Sequence, residues 1–500
     1  MMHRKWLALL LTLLLAVPLL AGCKGEEQPG SNSAVSETSG GPTYETTPPR
    51  YDGNANILDT LPEGHYGGKD FAISVYDGHY YQFDAERPNG DLINDTLYNW
   101  MDKIEGRYDV VLDVRKSGDW GSYYGNITTE ILAGLDVANL YGTMAFQHYS
   151  GVINGLFQNW LDISDMIDLE AERWDQDVNN EVTYNDVLYG LTGNLGVSKL
   201  QYTMATFYNT EMMNAYGYTT DRLVQLVDDG DWTFEAFSTV VKDIYTNLDA
   251  TGTVSEGDVY GYIGCEGNSF DIWFPSFDIQ ITSRDVDNTI TPTLYTESNA
   301  TVLGMLCDFY HDNEGVRIFD VTQYSSETLF ANRQAAMVST RFYAAYTSYS
   351  DMGSEAYGIL PTPKLNSEQE HYISKLNDQY TIWCVAKSLP DSERDFTAHI
   401  TDALCAESST TVYYQFYDVI LKNRYSKDPD TARMVDLIMD HVSFDTAIMY
   451  GEYLDGYPYM IRELIKADST DIASLYAGKA ESIAQKLQTV YDSYKPRGAA

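Results

Sequence analysis

Residues 71–76, Phe-Ala-Ile-Ser-Val-Tyr (FAISVY), open the pattern that decides the fold. A short, largely apolar run of β-competent residues reads as a strand buried on both faces. Downstream, 91–108 carries Leu92, Thr96, Leu97, Trp100, Met101 and Ile104 at helical spacing, and VVLDV (110–114) is a second apolar run. A helical stretch at 121–132 leads to a third run, ANLYGTMAF (138–146), and a further helical stretch covers 149–160. Strand, helix, strand, helix with connections of this length predicts right-handed crossovers and a mostly parallel sheet, an α/β architecture.

The same reading continues outward. LYGLT (188–192) and TMATFY (203–208) predict strands, and helices follow at 210–216, 220–228 and 233–247. Asp231 or Thr233 is available to cap the third of these, and Trp232 just before it reads as a packing staple rather than a ligand contact. Helices at 299–311 and 327–332 precede strands at 335–339 (AAMVS), 357–360 and 378–386. The remainder predicts helices at 392–406, 410–421, 429–441, 459–466 and 471–491. A body of this length exceeds one core of typical size and suggests two lobes.

The other end of the chain sets the expected location. MMHRKWLALLLTLLLAVPLLAGC (1–23) has a basic start, an apolar run from Trp6 to Leu20, and then Leu20-Ala21-Gly22-Cys23. That layout predicts a secretory signal peptide over 1–22, since the apolar run is shorter than the roughly 20 residues that cross a bilayer core. Leu-Ala-Gly-Cys resembles the bacterial lipobox, which implies a diacylated Cys23 and a palmitate-bearing lipoprotein on the extracellular face of the cytoplasmic membrane, as in Gram-positive cells. Two acyl chains make a durable anchor, at about 0.8 kcal/mol per buried methylene. The stretch 23–60 then reads as a disordered tether, because Val35 is the sole large aliphatic residue among the Gly, Ser, Thr, Pro and Glu of 24–50.

Net charge is −41, and cleavage before Cys23 removes Arg4 and Lys5 and no acid, leaving −43. Such a charge argues against nucleic acid as a partner, since phosphates are repelled. Cys265, Cys307, Cys384 and Cys405 show no C-x-x-C spacing, which removes support for zinc or thioredoxin-type redox chemistry; they read as buried thiols, with disulfide pairing left open by the even count.

Several segments together resemble the family 1 extracellular solute-binding proteins of ABC importers, the group that includes the maltose-binding protein. Leu188-Tyr189-Gly190-Leu191-Thr192 looks like the strand before the family's crossover, and Ala205-Thr206-Phe207-Tyr208-Asn209-Thr210-Glu211 resembles its F/I-Y-N-K-D/E entry into the second lobe. Asp231-Trp232-Thr233-Phe234-Glu235-Ala236-Phe237, Asp258-Val259-Tyr260-Gly261-Tyr262 and Asn332-Arg333-Gln334-Ala335-Ala336-Met337 are similar to its W-T-W/F-D/E-E-L, D-x-Y-G-F and G-K/R-x-A-M segments, with Asn332 replacing glycine. Tyr357-Gly358-Ile359-Leu360-Pro361-Thr362-Pro363 resembles Y-G-V-x-P-x-P. The resemblance implies a two-lobed, type II periplasmic-binding-protein-like clamshell with additional C-terminal helices, crossed by three hinge segments. Lobe 1 is placed at 65–203 plus 378–425, and lobe 2 at 204–377 plus 426–495.

Open α/β sheets bind ligands outside the carboxyl ends of their strands, and hinge closure traps the ligand. The end of 71–76 delivers Asp77, His79 and Tyr80, and the end of 138–146 delivers Gln147 and His148. By analogy with sugar-binding members, Gln201 and Tyr202 lie at the first crossover, Trp273 in the second lobe, Arg341 and Tyr343 after the Ala336-Met337 strand, Asp378 and Tyr380 near the returning hinge, and Tyr450 and Tyr457 in the C-terminal wall. Sugars offer C–H faces that stack on rings and hydroxyl rims that suit carboxylate and amide partners. Arg341, if it points into the cleft, would favour an anionic or uronic sugar.

No resident metal or cofactor is expected. Where many family members carry an EF-hand-like calcium loop, 249–258 has threonines at the third and fifth positions, Val254 for the turn glycine and Tyr260 for the bidentate glutamate. The reading is a lipid-anchored, monomeric, non-enzymatic binding protein that hands a carbohydrate, expected to be an oligosaccharide, to ABC permease subunits. The alternatives keep the fold and change the ligand to a peptide or other polar solute, or the role to a sensor; further off is a surface glycoside hydrolase.

Overall fold

The computed structural model describes residues 56–134, 137–248, 258–285, 289–320, 325–353, 356–424 and 429–494. The leader, Cys23, most of the tether and nine residues of the calcium-like loop, 249–257, lie outside them. Asp258 accepts hydrogen bonds from Leu248 N and Tyr245 OH, both 3.0 Å, and so holds the base of that loop.

Among the described residues, nine of the thirteen strands form the two larger sheets: β1 (Lys69–Val75), β2 (Val110–Lys116), β3 (Leu140–Met144), β4 (Met204–Asn209), β5 (Tyr260–Cys265), β6 (Val316–Phe319), β7 (Ala335–Arg341), β8 (Tyr357–Leu360) and β9 (Thr381–Cys384). The first sheet runs β9-β3-β1-β2 and the second β8-β4-β7-β5-β6. In the first, β1 pairs in parallel with β2 and β3, whereas β9 returns antiparallel, Thr381 opposite Met144. In the second, β5 is parallel to β6 and β7, and β4 is antiparallel to β7 and β8. Each sheet is therefore mostly parallel, three strands of four in the first and four of five in the second, with one strand arriving from the other half, β9 or β4, entering against the prevailing direction.

Local chemistry explains the element ends. Asp91 caps the helix Leu92–Tyr108 through Ile93 N and Asn94 N, both 3.0 Å, and Thr233 rather than Asp231 caps Phe234–Ile244 through Ala236 N. Trp232 is fully buried with its ring 5.8 Å from that of Phe237, the staple geometry expected when the residue before a cap meets the fourth helical residue.

Four expectations change. The helix at 149–160 is His148–Ile153, ended by Gly155 at φ +65°, and Trp160 opens a separate turn whose indole donates to Trp383 O at 2.9 Å. Residues 188–192 form no strand; Leu191 makes a single bridge with Trp383, and Gly190 lies so close to Ile382 that a Cβ would sit 2.2 Å from its side chain. The helix at 410–421 is a short turn, Val412–Tyr414, running into wider π-type turns over Gln415–Arg424. The 471–491 helix divides at Gly478 into Ile472–Ala477 and Ala480–Ser493.

The stretch placed whole with the second lobe, 426–495, touches both halves. Arg462 binds Asp271 and the His311 ring meets Ile465 O at 2.6 Å on the second-sheet side. At the chain's end, Tyr189 OH donates to Ser493 O at 3.1 Å and Tyr494 packs on Tyr184 on the first-sheet side. The four described cysteines are buried and free.

Candidate functional site

The two sheets face each other through the ends of their strands. Residues 201–203 lead from the first half into β4, and residues 376–380 lead back into β9. The two segments run side by side, with Thr203 bridged to Leu376 and Asn377 N donating to Tyr202 O at 3.0 Å. Parallel strands β1, β2 and β3 end at this seam, as do β5, β6 and β7 in the other half, so loops from both sheets converge on it.

From the first half, β1 delivers Tyr76, His79 and Tyr81. His79 is buried, with its ring 5.2 Å from Tyr76 and 5.6 Å from Tyr202; its Nδ1 lies 3.0 Å from Thr381 Oγ1 and its Nε2 3.3 Å from Tyr202 OH. Burial holds its pKa down at about 4, so it is a neutral spacer between the first crossover and β9. Tyr81 OH donates to the buried carboxamide of Gln201. Tyr80 lies outside this group beneath the Lys116 ammonium, 4.2 Å from its ring, and exposed Asp77 accepts from Gly118 N at 2.9 Å, closing the loops after β1 and β2 together.

From the second half, Arg341 ends β7 and Tyr343 follows. The Tyr343 ring is stacked with Tyr202 at 6.0 Å and lies 5.9 Å from Tyr81. Arg341 lies 5.5 Å from the Tyr202 ring and donates from Nη1 to Gln379 Oε1 at 3.0 Å. Asp378 accepts from Tyr459 OH at 2.7 Å, which ties the returning hinge to the C-terminal segment.

Sequence reasoning passes over the most exposed aromatic here. Trp120, 47% exposed, follows β2 and stacks on Phe146 at 4.8 Å, with Tyr76 edge-on at 6.3 Å. The available signal is its position, since it follows the carboxyl end of a parallel strand exactly as Asp77 and Gln147 do, in a polar Ser-Gly-Asp-Trp-Gly loop. With it, a line of ring contacts runs from Trp120 and Phe146 through Tyr76, His79 and Tyr202 to Tyr343 and Tyr81, across both halves, with Phe146, His79 and Tyr202 buried within it.

Five candidates fall elsewhere. Trp273 is fully buried among Phe234, Phe237, Phe277 and Phe309, its indole donating to Tyr310 OH at 2.6 Å. His148 is stacked on Phe157 at 5.2 Å with its Nδ1 3.4 Å from the Cys384 thiol, and burial lowers its pKa to about 3. Tyr380 is buried edge-on to Phe444. Tyr450 pairs with Tyr494 through their hydroxyls at 2.5 Å, and Tyr457 OH donates to Ile281 O at 2.8 Å. These residues stand one layer behind the seam, where large rings fill the space between sheet, helices and C-terminal segment. Gln147 stays half-buried beside Phe146.

No protein-family model and no curated protein sequence matches the chain. Solved structures do. The sugar-binding protein MalE from the phytopathogen Xanthomonas citri is 12% identical, with a TM-score of 0.57 over 85% of this chain and 98% of its own. UgpB from Mycobacterium tuberculosis, in complex with glycerophosphocholine, is 13% identical with a TM-score of 0.56 over 85% and 99%. An ABC substrate-binding protein from Listeria monocytogenes, in complex with cycloalternan, is 13% identical with a TM-score of 0.52 over 85% and 99%. At these identities the likeness is one of fold, and the chain has the two-lobed fold of the ABC-transporter solute-binding proteins.

Proposed function

We propose that this protein is an extracellular solute-binding protein that captures a carbohydrate, an oligosaccharide by the length of the aromatic line along the seam, and delivers it intact to an ABC permease. The observation that carries the reading is the aromatic line from Trp120 to Tyr343 at the seam between two sheets. It alternates ring faces, which stack on sugar C–H faces, with Gln201, Gln379 and Asp378, which suit hydroxyls. The fold shared with a sugar-binding protein and with a substrate-binding protein in complex with cycloalternan supports it. In the same proposal Cys23 carries the lipid anchor, and the halves hinge at 201–203 and 376–380.

The test is thermal unfolding of the purified protein with a panel of neutral and acidic oligosaccharides and peptides, followed by chromatography of the recovered ligand. A ligand at about 100 times its Kd adds roughly 2.7 kcal/mol, enough for a shift of a few degrees. A shift with an unaltered oligosaccharide supports the proposal. A shift with peptides alone overturns the ligand class, and a shortened glycan overturns the non-enzymatic role.

A further inference from the structure

The charged group in the seam is already compensated. Arg341 Nη2 faces Glu327 Oε1 at 3.6 Å, and both side chains are about four-fifths buried. Glu327 is itself held in place: Thr340 Oγ1 donates to Oε1 at 2.7 Å, and Ser325 Oγ donates to Oε2 at 2.7 Å. Burial alone would raise its pKa, but the Arg341 charge and the Thr340 and Ser325 hydroxyls outweigh it and leave the carboxyl below its usual range. The carboxylate therefore stays ionised and does not swing away.

An arginine recognises an anionic ligand by offering two parallel N–H groups to two oxygens. Here one terminal nitrogen is given to Gln379 and the other faces Glu327. A second carboxylate brought to this guanidinium would lie against Glu327, with Asp77, Asp119 and Asp378 also on the seam's loops, in a chain of net charge −41. One guanidinium N–H is given to Gln379, and in the field of Glu327 the others suit an uncharged hydroxyl better than a second carboxylate, against the faces of Tyr202 and Tyr343.

We infer that Glu327 is a specificity-determining residue, which converts Arg341 from an anion receptor into a hydroxyl donor and makes the cleft select uncharged glycans over uronic ones. The inference rests on the carbohydrate reading and reverses the preference for acidic sugars that Arg341 suggests from sequence.

The experiment is titration calorimetry of the full protein with maltotriose, cellotriose, xylotriose and mannotriose, and with trigalacturonate and an oligoglucuronate. The comparison is repeated on Glu327→Gln and on the double variant Glu327→Gln/Arg341→Gln. Wild type should bind a neutral trisaccharide at least about tenfold tighter than either uronate, a step of about 1.4 kcal/mol. Glu327→Gln should move the uronate-to-neutral affinity ratio toward uronate by about tenfold or more, and the double variant should cancel that move. Wild-type preference for a uronate, or a ratio unmoved in Glu327→Gln, overturns the inference while leaving the carbohydrate reading intact. The wild-type comparison decides the matter alone if the variant does not fold. Silence toward every glycan, neutral and acidic, overturns the carbohydrate reading and this inference with it.

Discussion

Trp120 and Trp273 both follow the carboxyl end of a strand, β2 and β5 respectively, and they have opposite fates. Trp273 is flanked in sequence by Phe270, Ile272, Phe274 and Phe277, and that density of apolar neighbours places it in the core. Trp120 is flanked by Gly118, Asp119, Gly121 and Ser122, which can bury nothing, so its indole lies on Phe146 with about half its surface exposed. Trp120→Ala should therefore weaken glycan binding by about tenfold, the magnitude of one lost aromatic contact. The unfolding midpoint should stay within about a degree of wild type, since little buried surface is lost. Calorimetric titration and a melting curve on the same variant check both halves. Among the sequence-derived candidates, His79, Gln201, Tyr202, Arg341, Tyr343 and Asp378 do gather at the seam, because strand-end position is a feature of the local pattern. Tyr380, Tyr450 and Tyr457 do not, because which of 41 tyrosines faces a cleft depends on tertiary packing that spacing does not encode.

At the scale of elements, capped and periodic segments were the legible ones: 91–108, 220–228 and 357–360 match the observed helices and strand almost residue for residue. The strand Val316–Phe319 escapes the pattern because four residues after a helix and a glycine carry too little periodicity, and it forms by pairing with β5. Residues 188–192 mislead for the converse reason: an apolar run becomes a strand only where a neighbour offers a ladder, and β9 offers Leu191 one bridge. The helix Arg394–Thr410 shows what long-range chemistry adds. It is buried over nearly its whole circumference, and Asp402 within it accepts from Arg173 Nε at 2.6 Å, Arg173 Nη2 at 2.7 Å and Trp174 Nε1 at 3.1 Å. Arg173 and Asp402 are 229 residues apart and invisible to any window. Asp402→Ala should cost about 3–5 kcal/mol by leaving the Arg173 charge buried and unpaired, read as a lower urea midpoint.

For the whole molecule, two of the three histidines buried among the described residues set most of a pH response. His79 and His148 are neutral when folded, with pKa values lowered by burial from 6.5 to about 4 and about 3. Below pH 6.5 the unfolded chain binds protons that the folded chain refuses, so this contribution is complete above 6.5 and is lost as pH falls toward 3 to 4. Each histidine accounts for up to about 1.4 kcal/mol per pH unit in that window. The urea midpoint should fall between pH 7.5 and pH 5.0, and His148→Phe, which keeps the ring stacked on Phe157, should fall less. The two-sheet plan itself follows from the order of apolar runs, while the division of the C-terminal segment between the halves follows from Arg462, Ser493 and Tyr494 meeting partners far back in the chain. The exposure of Trp120 has an optical consequence. Trp100, Trp160, Trp174, Trp232, Trp273 and Trp383 are all shielded from solvent, so among the described residues an aqueous collisional quencher such as iodide or acrylamide reaches one indole. That indole stands at the seam, and the quenchable fraction of the intrinsic emission is a label-free gauge of whether the seam is occupied.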